Sequence, residues 1–192
     1  AQLKADRRMP VARELQKFLK SGGVIAYPTE SIFGLGCDPG NRAAVQKILR
    51  LKRRPQRKGL ILVADRLAKL QPYMAPLSAA QSLQMQQSWQ NRARGHTWLA
   101  PAAKHCPKWL TGRHKTLAVR VSNHALTAGL SRSTGMALVS TSANRSGCQP
   151  AKTTRQCRQL FGGQVRIIKG MTGGASKPSI IQDLASGRII RP

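Results

Sequence analysis

The chain has 192 residues, with 33 Lys and Arg against six Asp and Glu, so its formal net charge at pH 7 is +27. At 41% hydrophobic and 20% charged residues, the composition is typical of a folded globular chain and excludes global disorder. The length favours one domain over 1–192. No apolar run reaches about 18 residues, so the sequence predicts neither a membrane-spanning helix nor a secretory signal. We therefore expect a soluble, cytoplasmic protein without a membrane partner.

The scarcity of acids excludes several classes of chemistry. No two carboxylates have a spacing that indicates an acid/base pair or a carboxylate metal cage, so we expect no metal held by the protein itself. The four cysteines lack C-x-x-C spacing, which favours reduced thiols over a disulfide framework or a zinc site. The positive charge favours an anionic partner, either nucleic acid or a phosphate-bearing substrate, although a solvated basic face is the alternative.

Hydrophobic patterning predicts alternating helices and strands in the first half. A helix is expected over 10–20, a buried strand over 24–27, a helix capped by Asn41 that ends before Pro55, and a strand over 60–64. Asp65 is expected to cap a short helix. Ser78 and Gln81 have the spacing of a capping box before a helix that ends near Gln90.

The same alternation continues in the second half. Helices are predicted over 124–133 and 155–161, and strands over 97–100, 117–121, 137–140, 165–168, 179–182 and 188–191. The glycine pairs at 162–163 and 173–174 allow chain reversals that are too short for crossover helices. The order therefore predicts an α/β fold with a mixed sheet.

Three polar segments follow or join these elements. The first, P-T-E-S-I-F-G-L-G at 28–36, has a hydroxyl, a carboxylate and two glycines after a buried strand, and Gly34 and Gly36 would let the backbone approach a ligand closely. A tight turn after an edge strand is the alternative. The second, K-R-R-P-Q-R-K-G-L at 52–60, suits phosphate or carboxylate oxygens, or is equally an exposed helix end.

The third segment, S-T-S-A-N-R-S-G at 140–147, follows a predicted strand with enough donors to surround an anion or a nucleotide. A polar loop with local side-chain turns is the alternative, but we favour the ligand loop. No Walker-type phosphate loop occurs, and His96, His105, His114 and His124 are isolated from any Ser or Cys constellation. We interpret these histidines as surface or core residues.

Together with L-A-V-R-V at 117–121, K-P-S-I-I-Q-D at 177–183 and I-I-R-P at 189–192, these segments resemble the threonylcarbamoyl-AMP synthase family, whose core is the YrdC-like domain. The resemblance extends from about Gly23 to Arg191. The length of the chain resembles that of the short single-domain form of the family. It implies a twisted, mostly open mixed α/β sheet with flanking helices around a basic concave cavity. It also implies synthesis of threonylcarbamoyl-adenylate and pyrophosphate from L-threonine, bicarbonate and ATP, for the threonylcarbamoyladenosine modification of tRNA by downstream transferase machinery.

The resemblance also implies roles for individual residues. Those around threonine would be Thr29, Arg120, Ser140 and Ser179. Those around ATP would be Arg54, Lys58, Thr116, Ser142, Asn144 and Arg191. Lys52 would lie close to the phosphates and, with Arg54, act in catalysis; Mg²⁺ would arrive on ATP.

One segment departs from the family pattern. Members usually carry W-P-G-P-x-T before the central strand, whereas this chain reads R-A-R-G-H-T at 92–97, so a rigid turn is lost. Two other functions stay open: a catalytically silent RNA-binding module, and a nucleotide or sugar-phosphate regulatory domain. Because aromatic residues make up 4% of the chain, RNA binding would depend on the backbone of tRNA or double-stranded RNA rather than on base stacking. Our candidate RNA surface is the run Arg53, Arg57, Arg92 and Arg94.

Overall fold

Nine strands form one mixed sheet in the computed structural model, which describes residues 12–91, 94–175 and 178–192. The strands are β1 Ile25–Pro28, β2 Phe33–Gly36, β3 Ile61–Ala64, β4 His96–Pro101, β5 Thr116–Val121, β6 Leu138–Ser142, β7 Arg166–Ile167, β8 Ile180–Asp183 and β9 Ile189–Arg191. Their order across the sheet is β7-β1-β2-β6-β3-β5-β4-β8-β9. The pairs β1–β7, β3–β5 and β4–β8 are parallel and the other neighbours antiparallel, which confirms the mixed α/β fold.

Helices cover both faces of this sheet. They are α1 over 12–20, α2 Arg42–Lys52, α3 Ala79–Gln90, α4 Lys108–Thr111, α5 Ala125–Thr134 and α6 Thr154–Phe161. Four 3₁₀ turns lie at Gln56–Lys58, Leu67–Lys69, Gln71–Tyr73 and Gly162–Gln164. The predicted caps of α2 and α3 are confirmed: Asn41 accepts from the amide of Ala44, and Ser78 and Gln81 form a complete capping box.

Strand alternation divides the core between the two faces. In β1, Ala26 packs in the larger cluster with α2, α3 and α6, whereas Ile25 and Tyr27 pack in the smaller cluster with Leu15 of α1 and Leu130 of α5. The smaller cluster covers only part of its face. Farther along that face, the side chains of β3, β5 and β6 border an open cavity.

Two local features differ from the sequence-based expectation. Phe33–Gly36 form strand β2, which was not among the predicted strands. The chain reverses before it in a tight turn, where the Thr29 amide (2.9 Å) and hydroxyl (2.7 Å) both donate to the Ile32 carbonyl. Asp65 does not cap the turn at Leu67–Lys69. Its carboxylate instead lies 2.7 Å from the Lys69 ammonium and accepts from the Ser131 hydroxyl at 3.0 Å. The short helix α4 was not predicted.

Candidate active site

A cavity of about 430 Å³ lies against the uncovered part of the sheet. The strand register places residues of four strands side by side in the cavity lining. Ile61 of β3 is opposite both Ser140 of β6 and Ala118 of β5, and Gly34 of β2 is opposite Ser142 of β6. In β5, Thr116, Ala118 and Arg120 border the cavity, while the intervening Leu117 and Val119 are buried in the core. Period-two alternation therefore builds the site on the same strands that build the core.

All but two of the predicted site residues line this cavity. They are Thr29, Arg54, Lys58, Thr116, Arg120, Ser140, Ser142, Ser179 and Arg191. Four of them are cations, whereas Glu30 is the only carboxylate among the described lining residues. The wall thus combines cations with hydroxyls, a donor set that suits a polyanion.

Lys52 and Asn144 are the two predicted residues outside the lining. The Lys52 side chain is 2% exposed, and its ammonium donates to the Ser142 carbonyl, to the Asn144 carbonyl (3.0 Å) and to Asn144 Oδ1 (2.8 Å). Burial, and then the charge of Arg54, lower the pKa of Lys52 to about 8. The Asn144 amide group donates to the Cys148 carbonyl at 2.6 Å. Lys52 therefore holds the 140–147 loop in place through Ser142 and Asn144, from the buried side of that loop.

Arg54 has a different environment from Lys52. Arg53 ends helix α2 in the left-handed conformation (φ 50°, ψ 44°), and the chain turns there. Arg54 Nη2 donates to the Gly59 carbonyl at 3.0 Å, while its buried Nε has no hydrogen-bond partner. Burial lowers the pKa of Arg54. The guanidinium is thus held on one side and keeps a free donor in the cavity wall.

Glu30 and Arg120 form an ion pair in the cavity lining, with 3.4 Å between Glu30 Oε2 and Arg120 Nη2. Glu30 Oε1 accepts from the Ser122 hydroxyl at 2.7 Å. Burial alone would raise the pKa of Glu30, but the Arg120 charge and the Ser122 hydrogen bond outweigh it and lower that pKa. The carboxylate is therefore ionised near neutral pH.

Ser179 connects two segments from different parts of the chain at one end of the cavity. Its hydroxyl lies 2.9 Å from Thr97 Oγ1, and its carbonyl accepts from Arg191 Nε and Nη2 at 3.1 and 2.7 Å. Burial, followed by the charges of Arg120 and Arg94, lowers the pKa of Arg191. Three guanidiniums thus lie near one another at this end.

The segment that departs from the family pattern borders the same end. Gly95 lines the cavity, and a Cβ there would lie 3.0 Å from Arg120 Nη1. Arg94 is half-buried and donates from Nε to the Pro178 carbonyl at 2.9 Å. Part of its guanidinium is thus engaged within the protein, and the assignment of Arg94 to the RNA surface stays a prediction. Arg92 lies outside the described residues, as does Lys177 of the K-P-S-I-I-Q-D segment.

Sequence reasoning missed several lining residues and misassigned one glycine. Glu30 and His114 both line the cavity, although the sequence pattern predicts no role for either residue. Gly36 is not among the lining residues: a Cβ on it would lie 2.7 Å from both Tyr27 Cε1 and the Val139 carbonyl, so its size serves packing. Gly34 does line the cavity, as predicted for it.

Within the described ranges, no group of three or more His, Cys, Asp or Glu side chains is placed to hold a metal ion. Likewise, no described helix is long and apolar enough to cross a membrane.

Fold and site together define an α/β protein with a cation- and hydroxyl-lined cavity on one face of a mixed sheet. The sequence profile of the Sua5/YciO/YrdC family, described as telomere recombination, matches residues 17–192, and the chain belongs to this family. The resemblance predicted from the motifs is thereby confirmed.

Several relatives cover nearly the whole chain. The threonylcarbamoyl-AMP synthase of Methylobacillus flagellatus is 58% identical over 94% of this chain and 99% of its own length. The enzyme of the same name from Thiobacillus denitrificans is 49% identical over 97% of this chain and 98% of its own length.

Solved structures share the fold. The crystal structure of P. abyssi Sua5 complexed with L-threonine has a TM-score of 0.83 and 25% identity over 94% of this chain. This chain spans 53% of that longer chain, so the match concerns about half of it. E. coli YciO, with a TM-score of 0.78 and 23% identity, covers 95% of this chain and is matched over 89% of its own.

Proposed function

We propose that this protein is an L-threonylcarbamoyladenylate synthase, which converts L-threonine, bicarbonate and ATP into threonylcarbamoyl-adenylate, pyrophosphate and water. One observation carries the proposal: the cations and hydroxyls that the chemistry requires converge on a single cavity in a chain up to 58% identical to enzymes of that name. The cavity volume of about 430 Å³ is in the range that small-molecule and cofactor sites occupy.

The nucleotide contacts Arg54, Lys58, Thr116, Ser142 and Arg191. The free Nε of Arg54 supports this assignment, because a buried donor without a partner is costly unless a ligand satisfies it. Asn144 and Lys52 act through the 140–147 loop. For Lys52 this differs from the catalytic role close to the phosphates that the resemblance implies, since its ammonium is occupied by loop oxygens.

Threonine occupies the end of the cavity formed by Thr29, Arg120, Ser140 and Ser179. A cation there suits a carboxylate, and the hydroxyl network around Ser179 and Thr97 supplies donors and acceptors for a small polar amino acid. The Ser140 hydroxyl is held by the Tyr27 hydroxyl, which donates to it at 2.9 Å from the core. Burial raises the pKa of Tyr27 to about 12, so this donor keeps its proton.

The reaction has two bond-forming stages. The threonine amine attacks the bicarbonate carbon and water leaves, which yields an N-carboxylate. One oxygen of that carboxylate then attacks the α-phosphorus of ATP, and pyrophosphate departs. Charge builds up on the phosphates at this stage, so fixed cations at Arg54, Lys58 and Arg191 stabilise the transition state. Mg²⁺ enters bound to ATP, as part of the substrate.

The test is an assay of ATP conversion with purified protein. We expect pyrophosphate release only when threonine and bicarbonate are both present, with threonylcarbamoyl-adenylate identified by mass spectrometry. Omission of either co-substrate is the control. Pyrophosphate release that does not depend on threonine would contradict the proposal. So would a failure to release pyrophosphate under any condition.

RNA binding is a second function, which the net charge of +27 and the exposed arginines at 53, 57 and 113 favour. It accompanies the synthase activity and does not replace it, since the enzymes so similar to this chain are named as synthases. We further propose one domain over 1–192, a cytoplasmic location and delivery of the product to a threonylcarbamoyl-transferase that modifies tRNA.

A further inference from the structure

The ion pair of Glu30 and Arg120 in the cavity lining contains two buried atoms that have no hydrogen-bond partner. They are Oε2 of Glu30 and Nε of Arg120. Glu30 Oε2 is 3.4 Å from Arg120 Nη2, which is an ion pair but not a hydrogen bond in this geometry. A buried acceptor and a buried donor that both lack a hydrogen-bond partner within one ion pair indicate that a third group binds to them.

The carboxylate of Glu30 is held so that one oxygen stays available. The Ser122 hydroxyl donates to Oε1 at 2.7 Å, and that hydroxyl is itself fixed by the amide of His124, which donates to it at 3.2 Å. The Glu30 backbone is also tied, because its carbonyl accepts from the Ala175 amide at 2.9 Å. The side chain is therefore a fixed acceptor, not a mobile surface carboxylate.

A ligand that satisfies both atoms must offer a donor to Glu30 and an acceptor to Arg120, and charged groups of both signs do so most strongly. A phosphate or a simple carboxylate would satisfy Arg120 and be repelled by Glu30, and Glu30 is the only carboxylate among the described lining residues. An amino acid zwitterion has an anionic and a cationic group two bonds apart on one carbon. Its carboxylate fits Arg120 and its ammonium fits Glu30.

We propose that Glu30 binds the α-ammonium of the amino acid substrate through Oε2, while Arg120 binds its carboxylate. The inference rests on the proposed function for the identity of the amino acid, L-threonine. Glu30 then selects α-amino acids over other small acids in a cavity whose remaining charge attracts any anion. A purely structural Glu30 would only orient Arg120 and would serve all carboxylate ligands equally.

The test compares two ligands that differ in the ammonium group. L-threonine and 3-hydroxybutyrate of the same configuration at the hydroxyl carbon share the carboxylate, hydroxyl and methyl groups. Calorimetric titration without bicarbonate measures binding alone. We expect Glu30→Gln to weaken threonine about 10- to 100-fold, as for loss of a charged hydrogen bond, and to change 3-hydroxybutyrate less than about threefold.

Glu14→Gln is the matched control, because it removes the same charge from an exposed site outside the cavity lining. It should leave the affinity ratio of the two ligands unchanged. Should Glu30→Gln fail to fold, Glu30→Asp retains the charge with a shorter reach and should lower the same ratio. ATP binding reports on folding in every variant.

Each other outcome overturns a specific claim. Equal weakening of both ligands would mean that Glu30 only orients Arg120. Unchanged threonine binding would remove Glu30 from the substrate site altogether. A wild-type protein that binds ATP and 3-hydroxybutyrate but not threonine would overturn this inference, whereas one that binds threonine without forming the adenylate would overturn the proposed function alone.

Discussion

Lys52 and Arg54 are separated by one residue, yet their side chains lie in different environments. The Lys52 ammonium is surrounded by carbonyl and amide oxygens of the 140–147 loop, whereas Arg54 lines the cavity with an unpaired Nε. The left-handed conformation of Arg53 separates the two directions of the chain. One basic run therefore supplies both a support for the loop and a guanidinium in the cavity lining.

Substitution should separate these two roles. Lys52→Met leaves buried loop oxygens without a donor, so we expect it to lower the free energy of unfolding by about 1–3 kcal/mol and to reduce adenylate synthesis. Arg54→Ala should lower synthesis about 100-fold or more and change that free energy by less than about 1 kcal/mol. Urea unfolding and pyrophosphate release measure the two effects. Unaltered turnover in Arg54→Ala would remove it from the nucleotide site.

Nine of the predicted site residues line the cavity, and each stands in a short motif near a strand end. The sequence did not predict that Lys52 is buried, since lysine is rarely buried unless paired and its partners are about 90 residues away. The same holds for Glu30, whose Ser122 partner is 92 positions along the chain. Local patterns identify residue types suited to the chemistry, but only tertiary contacts decide which atoms remain free.

At the scale of elements, the hairpin of β1 and β2 shows why the sequence pattern does not predict strand β2. Phe33 and Leu35 alternate with Gly34 and Gly36, and glycine is depleted in strands, so the period-two signal was weak. In the sheet, β2 lies between β1 and β6 and is fully buried. Gly36 fits there because it has no Cβ to meet Tyr27 and Val139.

This packing predicts opposite effects for the same substitution at two glycines. Gly36→Ala places a Cβ 2.7 Å from Val139 O, and such overpacking should cost about 1–3 kcal/mol of unfolding free energy. Gly129→Ala, inside α5 with no heavy atom within 4 Å of the new Cβ, should gain about 0.5–1 kcal/mol. Thermal unfolding of both variants is the measurement. Equal stability changes would contradict the packing role of Gly36.

At the scale of the whole molecule, the chain has 33 Lys and Arg residues and only six Asp and Glu residues, so acidic partners are too few for most of the cations. Three of the carboxylates are engaged at the cavity or in partly buried pairs, namely Glu30, Asp65 and Asp38. The remaining positive field concentrates polyanions near the surface. The composition predicted this field, but it did not predict which arginines lie together.

The structure changes the candidate RNA surface accordingly. Arg53 and Arg57 are exposed, and the amide of Arg113 donates to the Arg57 carbonyl at 3.2 Å, which brings a third exposed arginine beside them. None of the three lines the cavity. We expect the triple Gln variant to lower the slope of log affinity against log salt by about 2–3 for unrelated RNAs alike, because each phosphate contact contributes about 0.7–0.9.

The control is an equal loss of charge elsewhere, at the exposed Arg132, Arg155 and Arg158 of α5 and α6. If the field of the whole molecule determines RNA binding, both triple variants lower the slope equally. If the surface of Arg53, Arg57 and Arg113 contacts phosphates, only its variant does, and adenylate synthesis without RNA persists in both. Absence of measurable binding near 0.1 M salt would exclude RNA as a partner. The Debye length there is about 10 Å, so long-range attraction is screened and binding must come from direct contacts.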